Sequence, residues 1–579
     1  MGDLTKLTPP KELSDEACSI VFQYIYRRLA SYRNTAELYA MAEYALSSQP
    51  ERLKSRIRDE FIEEMNNWAQ DLLKHAWLAC REPGSDKDAP ALDPLSDTST
   101  AGLSPLPAQD RLVRLLNTVL FLQITTRKDY SAHTRTYLFS FAILDESAIA
   151  ATLKNPGHAV EEAERKTQLA KEQSAAQRKT LRKVGIGLGA VAGGVLIGVT
   201  GGLAAPLVGA GLSALLGFLG VGGTAAGLLA TGLASSSVVC GALFGAYGSK
   251  RTAEMVGHYT RDVHDLAILP VRDSKETLAV RLCVSGWLAS PEDVTAPWTI
   301  FGGDDTFALR WEVKALEDLS NALMATLKTQ AMKYVQAQII KRTVLAGLMT
   351  ALAPIAWLKI GQIIGNRTHT RADNPWMNAK ALAVKAGKVL GMLLHDRFLG
   401  NRPVTLVGYS LGALLIFEAL RYLSTLPPSE TAYLIQDVYL FGAPIATDEA
   451  AWAAVRRVVA GRLVNGYGSN DYVLAVLSRV SDVRWGVAGL QPVQVKGVEN
   501  VSCEEVDGHV KWRGMIGQCL QRCGAPGIVD SEVQRQLEGR AKQIAGEVDL
   551  SEKEVDQLVE QGSDAVPAED TLASSHPRD

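Results

Sequence analysis

A short apolar run over residues 404–407 leads directly into a Gly-X-Ser-X-Gly motif, and a helical pattern of apolar residues begins immediately after it. The fixed positions of the motif are Gly408, Ser410 and Gly412. A strand, a tight turn and a helix in this order form the nucleophile elbow of a serine hydrolase, where side chains two residues from the strained serine would clash. The pattern therefore predicts that Ser410 is a nucleophile projecting from the end of a sheet strand, with Gly408 and Gly412 as elbow glycines.

A serine hydroxyl becomes an effective nucleophile only when a base takes its proton and a third group holds that base in one tautomer. In hydrolases built on such an elbow, the three residues follow in the chain order Ser, Asp or Glu, His. Only His509 and His576 lie beyond Ser410, and His576 belongs to a polar tail. His509 is therefore predicted to be the base.

The acid is expected just after a strand that lies between the nucleophile and the base in the sequence. Residues 462–467 have the pattern of that strand, and Asp471 lies in the loop that follows it. Asp471 is the first candidate, while Asp448 and Asp482 are weaker ones. Asp437 precedes another predicted strand and is expected at the opposite end of the sheet.

An oxyanion hole needs two backbone N–H donors aimed at the negative charge that develops in the reaction. The first is expected from Leu411, directly after the nucleophile, and the second from the loop after an earlier strand. Residues 278–285 are predicted to be that strand, and Gly286 permits a close backbone approach in the loop. Trp287 is predicted to supply the second N–H, with a purely structural core role as the alternative.

A long segment from Val184 to Ser249 contains no charged residue and is rich in glycine and alanine. A bilayer crossing needs about 20 apolar residues, and small residues spaced four apart let membrane helices approach closely. Lysine and arginine flank both ends, which favours cytosolic flanks and hence an even number of crossings. We predict a membrane hairpin of two helices; three helices, or a helical hairpin buried in a soluble protein, are the alternatives.

A second apolar run, over residues 344–364, is not expected to cross the membrane. It contains Pro354 and Lys359, and strands of a single sheet are predicted on both sides of it in the sequence. A single crossing would place those strands in different compartments. The run is predicted to be a buried helix pair, a substrate lid or a segment lying on the membrane surface.

Composition excludes some functions without naming one. A net charge of −3 gives no reason to expect nucleic acid binding. Among the seven cysteines, Cys519 and Cys523 lie four apart on a predicted helix, but a metal would need two further ligands that the spacing does not supply. No metal site and no organic cofactor is predicted, and protein partners stay unassigned.

Six short segments together resemble the DUF726 family of transmembrane and coiled-coil domain-containing proteins. They are Val-Ser-Gly-Trp-Leu (284–288), Ala-Leu-Arg-Trp-Glu (308–312), Asp-Asn-Pro-Trp (373–376), Val-Gly-Tyr-Ser-Leu-Gly-Ala (407–413), Leu-Phe-Gly-Ala-Pro (440–444) and Val-Asn-Gly-Tyr-Gly-Ser-Asn-Asp-Tyr-Val-Leu (464–474). The resemblance covers about 170–520 and implies a membrane-associated α/β-hydrolase fold with a serine hydrolase site. Carried over by position, it supports Ser410, Asp471 and His509, whereas Tyr472 departs from an expected tryptophan.

These patterns predict an α/β chain whose mostly parallel sheet is flanked by helices. Its parts are an N-terminal helical region (1–157), a charged helical connector (158–183), the membrane hairpin (184–249), an α/β-hydrolase domain (270–525) and an acidic, largely disordered tail (530–579). The predicted function is a membrane-associated serine hydrolase, with a cytosolic catalytic domain, that cleaves a lipid or other acyl ester through an acyl-enzyme. The alternative is a catalytically silent membrane scaffold or trafficking protein that retains the hydrolase fold.

Overall fold

The computed structural model describes residues 2–83, 88–182, 210–219, 223–245, 265–322, 375–481, 486–506 and 508–539, together with Val221 and Val263. Its α-helices are α1 (Asp15–Leu46), α2 (Glu51–Ala79), α3 (Gln109–Arg127), α4 (Ala132–Phe139), α5 (Glu146–Lys154), α6 (Pro156–Arg182), α7 (Ala210–Phe218), α8 (Gly223–Ala234), α9 (Ser236–Phe244), α10 (Pro375–His395), α11 (Leu411–Ser424), α12 (Pro428–Thr431), α13 (Glu449–Val458), α14 (Tyr472–Ser481) and α15 (Trp512–Arg522). Short 3-10 turns cover Leu4–Lys6, Pro291–Val294, Ala296–Trp298 and His509–Lys511.

A seven-stranded, mostly parallel sheet runs through the C-terminal half of the described chain. Its strands are β1 (Leu266–Pro270), β2 (Val280–Val284), β3 (Asp305–Trp311), β4 (Val404–Tyr409), β5 (Ile435–Phe441), β6 (Leu463–Tyr467) and β7 (Val498–Ser502). They lie in the order β1-β3-β2-β4-β5-β6-β7, and only β1 is antiparallel to its neighbour among the pairs in this sheet. Every residue of β2, β4 and β5 is buried, as expected for central parallel strands covered on both faces.

The strand order reverses between β2 and β4. After β2 the chain moves outward to form β3, and it then returns to the other side of β2 to form β4. The register pairs Val284, the last residue of β2, with Gly408 near the end of β4. In open parallel sheets, this reversal leaves a crevice at the carboxyl ends of the two neighbouring strands, because their following connections diverge. The predicted elbow and the predicted oxyanion loop both begin there.

Close packing of α10 on α11 brings the elbow helix against the sheet. Two glycines of α10 make the approach possible, because a Cβ on Gly387 would stand 2.5 Å from the carbonyl oxygen of Leu415. A Cβ on Gly391 would likewise stand 2.7 Å from the Tyr422 ring. The apolar residues of α11 are buried in the same core as β4 and β5.

The N-terminal helices, which fall in the region predicted to be helical (1–157), enclose a second hydrophobic core. Residues of α1 to α9 contribute to this core. Buried Arg135 joins it to the sheet, since its guanidinium donates to Glu146, to Gln436 on β5 at 2.7 Å and to Asp304 at 3.2 Å. Three acceptors on separate segments make this arginine a fixed link between the two cores.

Helices α8 and α9 come from the uncharged segment. They pack against α3 and α5, and Leu229, Leu233 and Leu243 are buried in the helical core. In the part of the chain that the structure describes, no single helix has both the length and the apolar character to cross a bilayer. By those criteria alone, α8 and α9 taken together qualify as a broken span, with a bend of 63° at the break.

Several predicted features lie outside the described residues. They are most of the predicted hairpin (184–209 and 246–249), the second apolar run (344–364) and the tail beyond residue 539.

Candidate active site

Ser410 occupies the turn between β4 and α11 with a strained backbone. Its φ is 57° and its ψ is −130°, a region that residues other than glycine rarely adopt. The turn is held from both sides, because Ser410 N donates to the carbonyl of Phe441 at 2.9 Å and the Ser410 carbonyl accepts from Ala413 N at 3.0 Å. This is the local geometry that the Gly-X-Ser-X-Gly pattern predicts.

Glycines are required at the turn because other backbone lies where their side chains would be. A Cβ on Gly408 would stand 3.0 Å from the carbonyl carbon of Gly412, and one on Gly412 would stand 2.2 Å from the carbonyl oxygen of Val284. Gly286 is the most crowded, since its Cβ would stand 2.0 Å from Gly412 N and 2.3 Å from Leu411 N. The end of β2 and the start of α11 are thus in direct backbone contact.

A continuous hydrogen-bonded chain joins the three residues predicted as nucleophile, base and acid. Ser410 Oγ lies 2.5 Å from His509 Nε2, and His509 Nδ1 lies 2.7 Å from Asp471 Oδ2. All three residues are fully buried. Because the carboxylate accepts from Nδ1–H, Nε2 is left with a lone pair facing the serine hydroxyl. The arrangement can remove a proton from Ser410 and hold the resulting imidazolium beside a carboxylate.

Asp471 accepts three hydrogen bonds, which fix its orientation. Its Oδ1 accepts from Leu474 N at 3.0 Å and so caps the start of α14, as an aspartate at this position does well. Its Oδ2 accepts from His509 and also from Trp512 Nε1 at 3.0 Å. Gly442, with a φ of 53°, leaves room for the indole, because a Cβ there would stand 2.4 Å from Trp512 Nε1.

Trp512 is the part of this arrangement that the sequence did not reveal. An indole that donates to a carboxylate 41 residues away has no local signature in the sequence. The Leu-Phe-Gly-Ala-Pro segment (440–444) contains Gly442, which contacts this indole, but the segment does not identify its partner.

Of the other acidic candidates, the two that the structure describes do not join the hydrogen-bonded chain. Asp448 caps α13 by accepting from Ala451 N. Asp437 is the third residue of β5, not a residue before the strand, and it accepts from Arg462 N at 2.7 Å. Burial raises the pKa of Asp437 above its ordinary value. Asp482 lies outside the described residues.

The predicted oxyanion loop is fixed by buried polar contacts. The carbonyl of Ser285 accepts from Trp311 Nε1 at 3.0 Å, and Ser285 Oγ donates to the carbonyl of Asp293 at 2.8 Å. Tyr409 Oη donates to the carbonyl of Trp287 at 3.0 Å. Burial raises the pKa of Tyr409, so the phenol stays protonated and keeps this donor.

The two predicted oxyanion donors lie beside Ser410. Leu411 N is the first N–H of α11, at the positive end of the helix, and Gly286 lies against it. The Trp287 ring stands edge-on to the His509 ring with centroids 6.1 Å apart. Within the described ranges, neither the Leu411 nor the Trp287 N–H donates to a protein acceptor. Both N–H groups therefore remain candidates for the oxyanion donors that the sequence predicts.

The fold and the site define a mixed α/β protein with a buried Ser–His–Asp chain at the reversal point of a mostly parallel sheet. Residues 178–525, more than half of the chain, match the family described as "Protein of unknown function (DUF726)". The chain belongs to this family, as the resemblance predicted. No solved structure matches it significantly.

Its relatives carry names that refer to membranes and, in one case, to lipid cleavage. An uncharacterized membrane protein of Schizosaccharomyces pombe is 32% identical over 84% of this chain and 84% of its own length. The transmembrane and coiled-coil domain-containing protein STS1 of Oryza sativa is 36% identical over 58% of this chain and 51% of its own length. The probable lipase MIL1 of Saccharomyces cerevisiae is 33% identical over 58% of this chain and 30% of its own length.

The contact at Gly286 yields a structural prediction. In Gly286→Ala, the new Cβ meets the backbone nitrogens of Leu411 and Gly412, which no rotamer change can relieve. We expect the free energy of unfolding to fall by about 2–4 kcal/mol, since overpacking against backbone displaces β2 from α11. Urea denaturation followed by tryptophan fluorescence measures this change.

Gly508→Ala is the matched control. A Cβ at Gly508 meets nothing within 4 Å, and the φ of 167° is extended backbone that alanine adopts readily. Equal losses of stability in the two variants would contradict the contact assigned to Gly286.

Proposed function

We propose that this protein is a serine hydrolase of the α/β-hydrolase fold that cleaves an ester bond, with Ser410 as nucleophile, His509 as base and Asp471 as acid. The observation that carries the proposal is the hydrogen-bonded chain from Ser410 Oγ through His509 to Asp471 at the carboxyl ends of the parallel strands. Hydrolases of this fold have the same chain order and a nucleophile on a strand–turn–helix elbow. A structural ion pair can also bury a histidine beside an aspartate, but it does not require a strained serine hydrogen-bonded to that histidine.

The proposed reaction is acyl transfer to water in two steps. Ser410 Oγ attacks the ester carbonyl carbon while its proton passes to His509 Nε2. The oxyanion accepts from the Leu411 and Trp287 N–H groups, and Asp471 stabilises the imidazolium. Collapse of the intermediate breaks the bond to the alcohol, which leaves with the proton from Nε2. Water then repeats the sequence on the acyl-enzyme, releasing the carboxylic acid and restoring Ser410.

A lipid or other acyl ester in a membrane is the proposed substrate class. The uncharged segment over 184–249, with basic residues at both ends, supports membrane association with a cytosolic catalytic domain. The names of the relatives, membrane proteins and a probable lipase, point the same way. No metal or organic cofactor enters the proposed reaction.

Ester hydrolysis by the purified full chain tests the proposal. We expect Ser410→Ala to lower kcat for a p-nitrophenyl acyl ester by about 10⁴-fold or more, because loss of a triad nucleophile leaves only binding and oxyanion stabilisation. Ser424→Ala is the control: it also removes a serine hydroxyl from α11, one that donates to the carbonyl of Arg421. A wild-type chain with native circular dichroism and no hydrolysis across short and long acyl esters would favour the silent scaffold.

Trp512→Phe tests whether the indole positions the acid. Loss of a hydrogen bond to a charged group costs about 1.5–3 kcal/mol, so we expect kcat to fall about 10- to 100-fold with KM unchanged. Trp452→Phe is the control, because this buried indole donates instead to the carbonyl of Ala446 at 3.0 Å. A raised KM with unchanged kcat in Trp512→Phe, or equal losses in both variants, would refute the positioning role.

Membrane association is tested by pelleting after a carbonate wash. We expect the wild type to remain with the membrane, and Leu196→Arg to shift toward the supernatant, because arginine at the centre of a membrane helix costs about 2.5–3.5 kcal/mol. Leu95→Arg makes the same change at a residue that is 94% exposed and should leave the partition unaltered. Release of the wild type by carbonate would overturn an integral attachment.

A further inference from the structure

Three cysteines and a glutamate meet between the end of β7 and α15. Cys503 directly follows β7, and Glu505 lies two residues on. Cys519 is on the last turn of α15, and Cys523 is the residue that caps the end of this helix. The sulfurs of Cys503 and Cys519 and a carboxylate oxygen of Glu505 all lie within 4.8 Å of one another. The sequence presented Cys519 and Cys523 without further ligands, and the fold supplies two candidates from another segment.

The carboxylate of Glu505 lacks hydrogen bonds from the described residues. Both of its carboxylate oxygens are buried, and neither accepts a hydrogen bond from any described residue. Arg522 Nη2 approaches Oε2 at 3.0 Å, so the pair attracts by charge without hydrogen-bond geometry. The half-exposed Arg522 offsets part of the cost of burying this carboxylate, but it leaves both oxygens without a hydrogen bond. The carboxylate lies beside two cysteine sulfurs, so a metal ion that accepts sulfur and oxygen ligands would fit between them.

The donor set has the chemistry of a zinc site. Thiolates select soft or borderline cations, and zinc also accepts a carboxylate oxygen as a ligand. With Zn–S bonds of about 2.3 Å, sulfurs in a tetrahedral site are about 3.8 Å apart. The observed spread of at most 4.8 Å requires only a small contraction.

Cys523 is the candidate for the fourth ligand. It is largely buried, and its sulfur donates to the carbonyl of Cys519 at 2.9 Å. To reach the metal, its side chain would have to rotate about χ1 and give up this hydrogen bond.

We propose that Cys503, Glu505, Cys519 and Cys523 form a structural zinc site. Zinc binding displaces the thiol protons to solvent and places the Zn²⁺ charge beside the Glu505 carboxylate. The bound ion would tie the end of β7 to α15 and so clamp both ends of the segment that carries His509 and Trp512. A disulfide between Cys503 and Cys519 is the rival, but it would leave the third sulfur and the carboxylate unexplained.

Metal analysis of the full chain tests the site. We expect the wild type, purified without chelator, to contain about one zinc per chain by inductively coupled plasma mass spectrometry, and Cys519→Ser to contain almost none. Cys80→Ser is the matched control, because Cys80 is an equally buried thiol in the N-terminal helical core and should keep the metal. Glu505→Gln retains the shape of the side chain and should bind zinc more weakly, which keeps the test open if Cys519→Ser does not fold.

Cobalt gives a second readout that does not depend on any variant. After exchange with Co²⁺, the wild type should show thiolate-to-cobalt charge transfer and the visible bands of a tetrahedral site. A folded wild type that contains no zinc and gives no such spectrum would overturn the proposal. So would peptide mass spectrometry that finds Cys503 and Cys519 joined as a disulfide, or loss of zinc from Cys80→Ser equal to the loss from Cys519→Ser.

Discussion

Backbone contact between Gly286 and the start of α11 is the constraint on which the rest of the site depends. A side chain at Gly286 would overlap Leu411 N and Gly412 N, and one at Gly412 would overlap the Val284 carbonyl. Because both residues are glycines, the carboxyl ends of β2 and β4 can meet where the strand order reverses. The contact places the Trp287 loop beside the turn that holds Ser410. Pre-organised donors beside a strained nucleophile are what acyl transfer requires.

Helix α15 links Asp471, His509 and the cysteine cluster. At its first residue, Trp512 donates to Asp471, while the preceding turn carries His509. At its far end, Cys519 and Cys523 face the residues that follow β7. A single short helix therefore sets the orientation of Asp471 and anchors the loop of the base. The proposed reaction depends on His509 and Trp512, whereas the inferred zinc site depends on Cys519 and Cys523. Either proposal can therefore fail without the other.

Residue spacing, strand position and chain order account for the parts of the site that the sequence predicted. The elbow follows from the spacing of Gly408 and Gly412 around Ser410, and Asp471 and His509 follow from strand position and chain order. The structure brings these three together by hydrogen bonds, although their catalytic roles stay a proposal. The strand boundaries predicted from the sequence are close to the observed ones for β2 and β6. For β5, the sequence placed Asp437 before the strand, whereas the structure has it within the strand.

The contacts that the sequence did not predict arise from tertiary packing. Trp512 reaches Asp471 across the end of the sheet, and Cys503, which follows β7, lies close to Cys519 on α15. Neither contact leaves a periodic pattern. The uncharged segment is a different case: its composition predicts a membrane hairpin, while the described helices α8 and α9 pack against α3 and α5. Composition does not distinguish burial in protein from burial in lipid.

The most direct measurement is peptide mass spectrometry of the folded full chain after reaction with a fluorophosphonate probe. A serine hydrolase attacks the phosphorus with its activated hydroxyl and expels fluoride, which leaves a stable adduct on the nucleophile. We expect one adduct, on Ser410, that is absent from Ser410→Ala and strongly reduced in His509→Gln. A natively folded wild type without an adduct, or one whose adduct persists on another serine in Ser410→Ala, would contradict it.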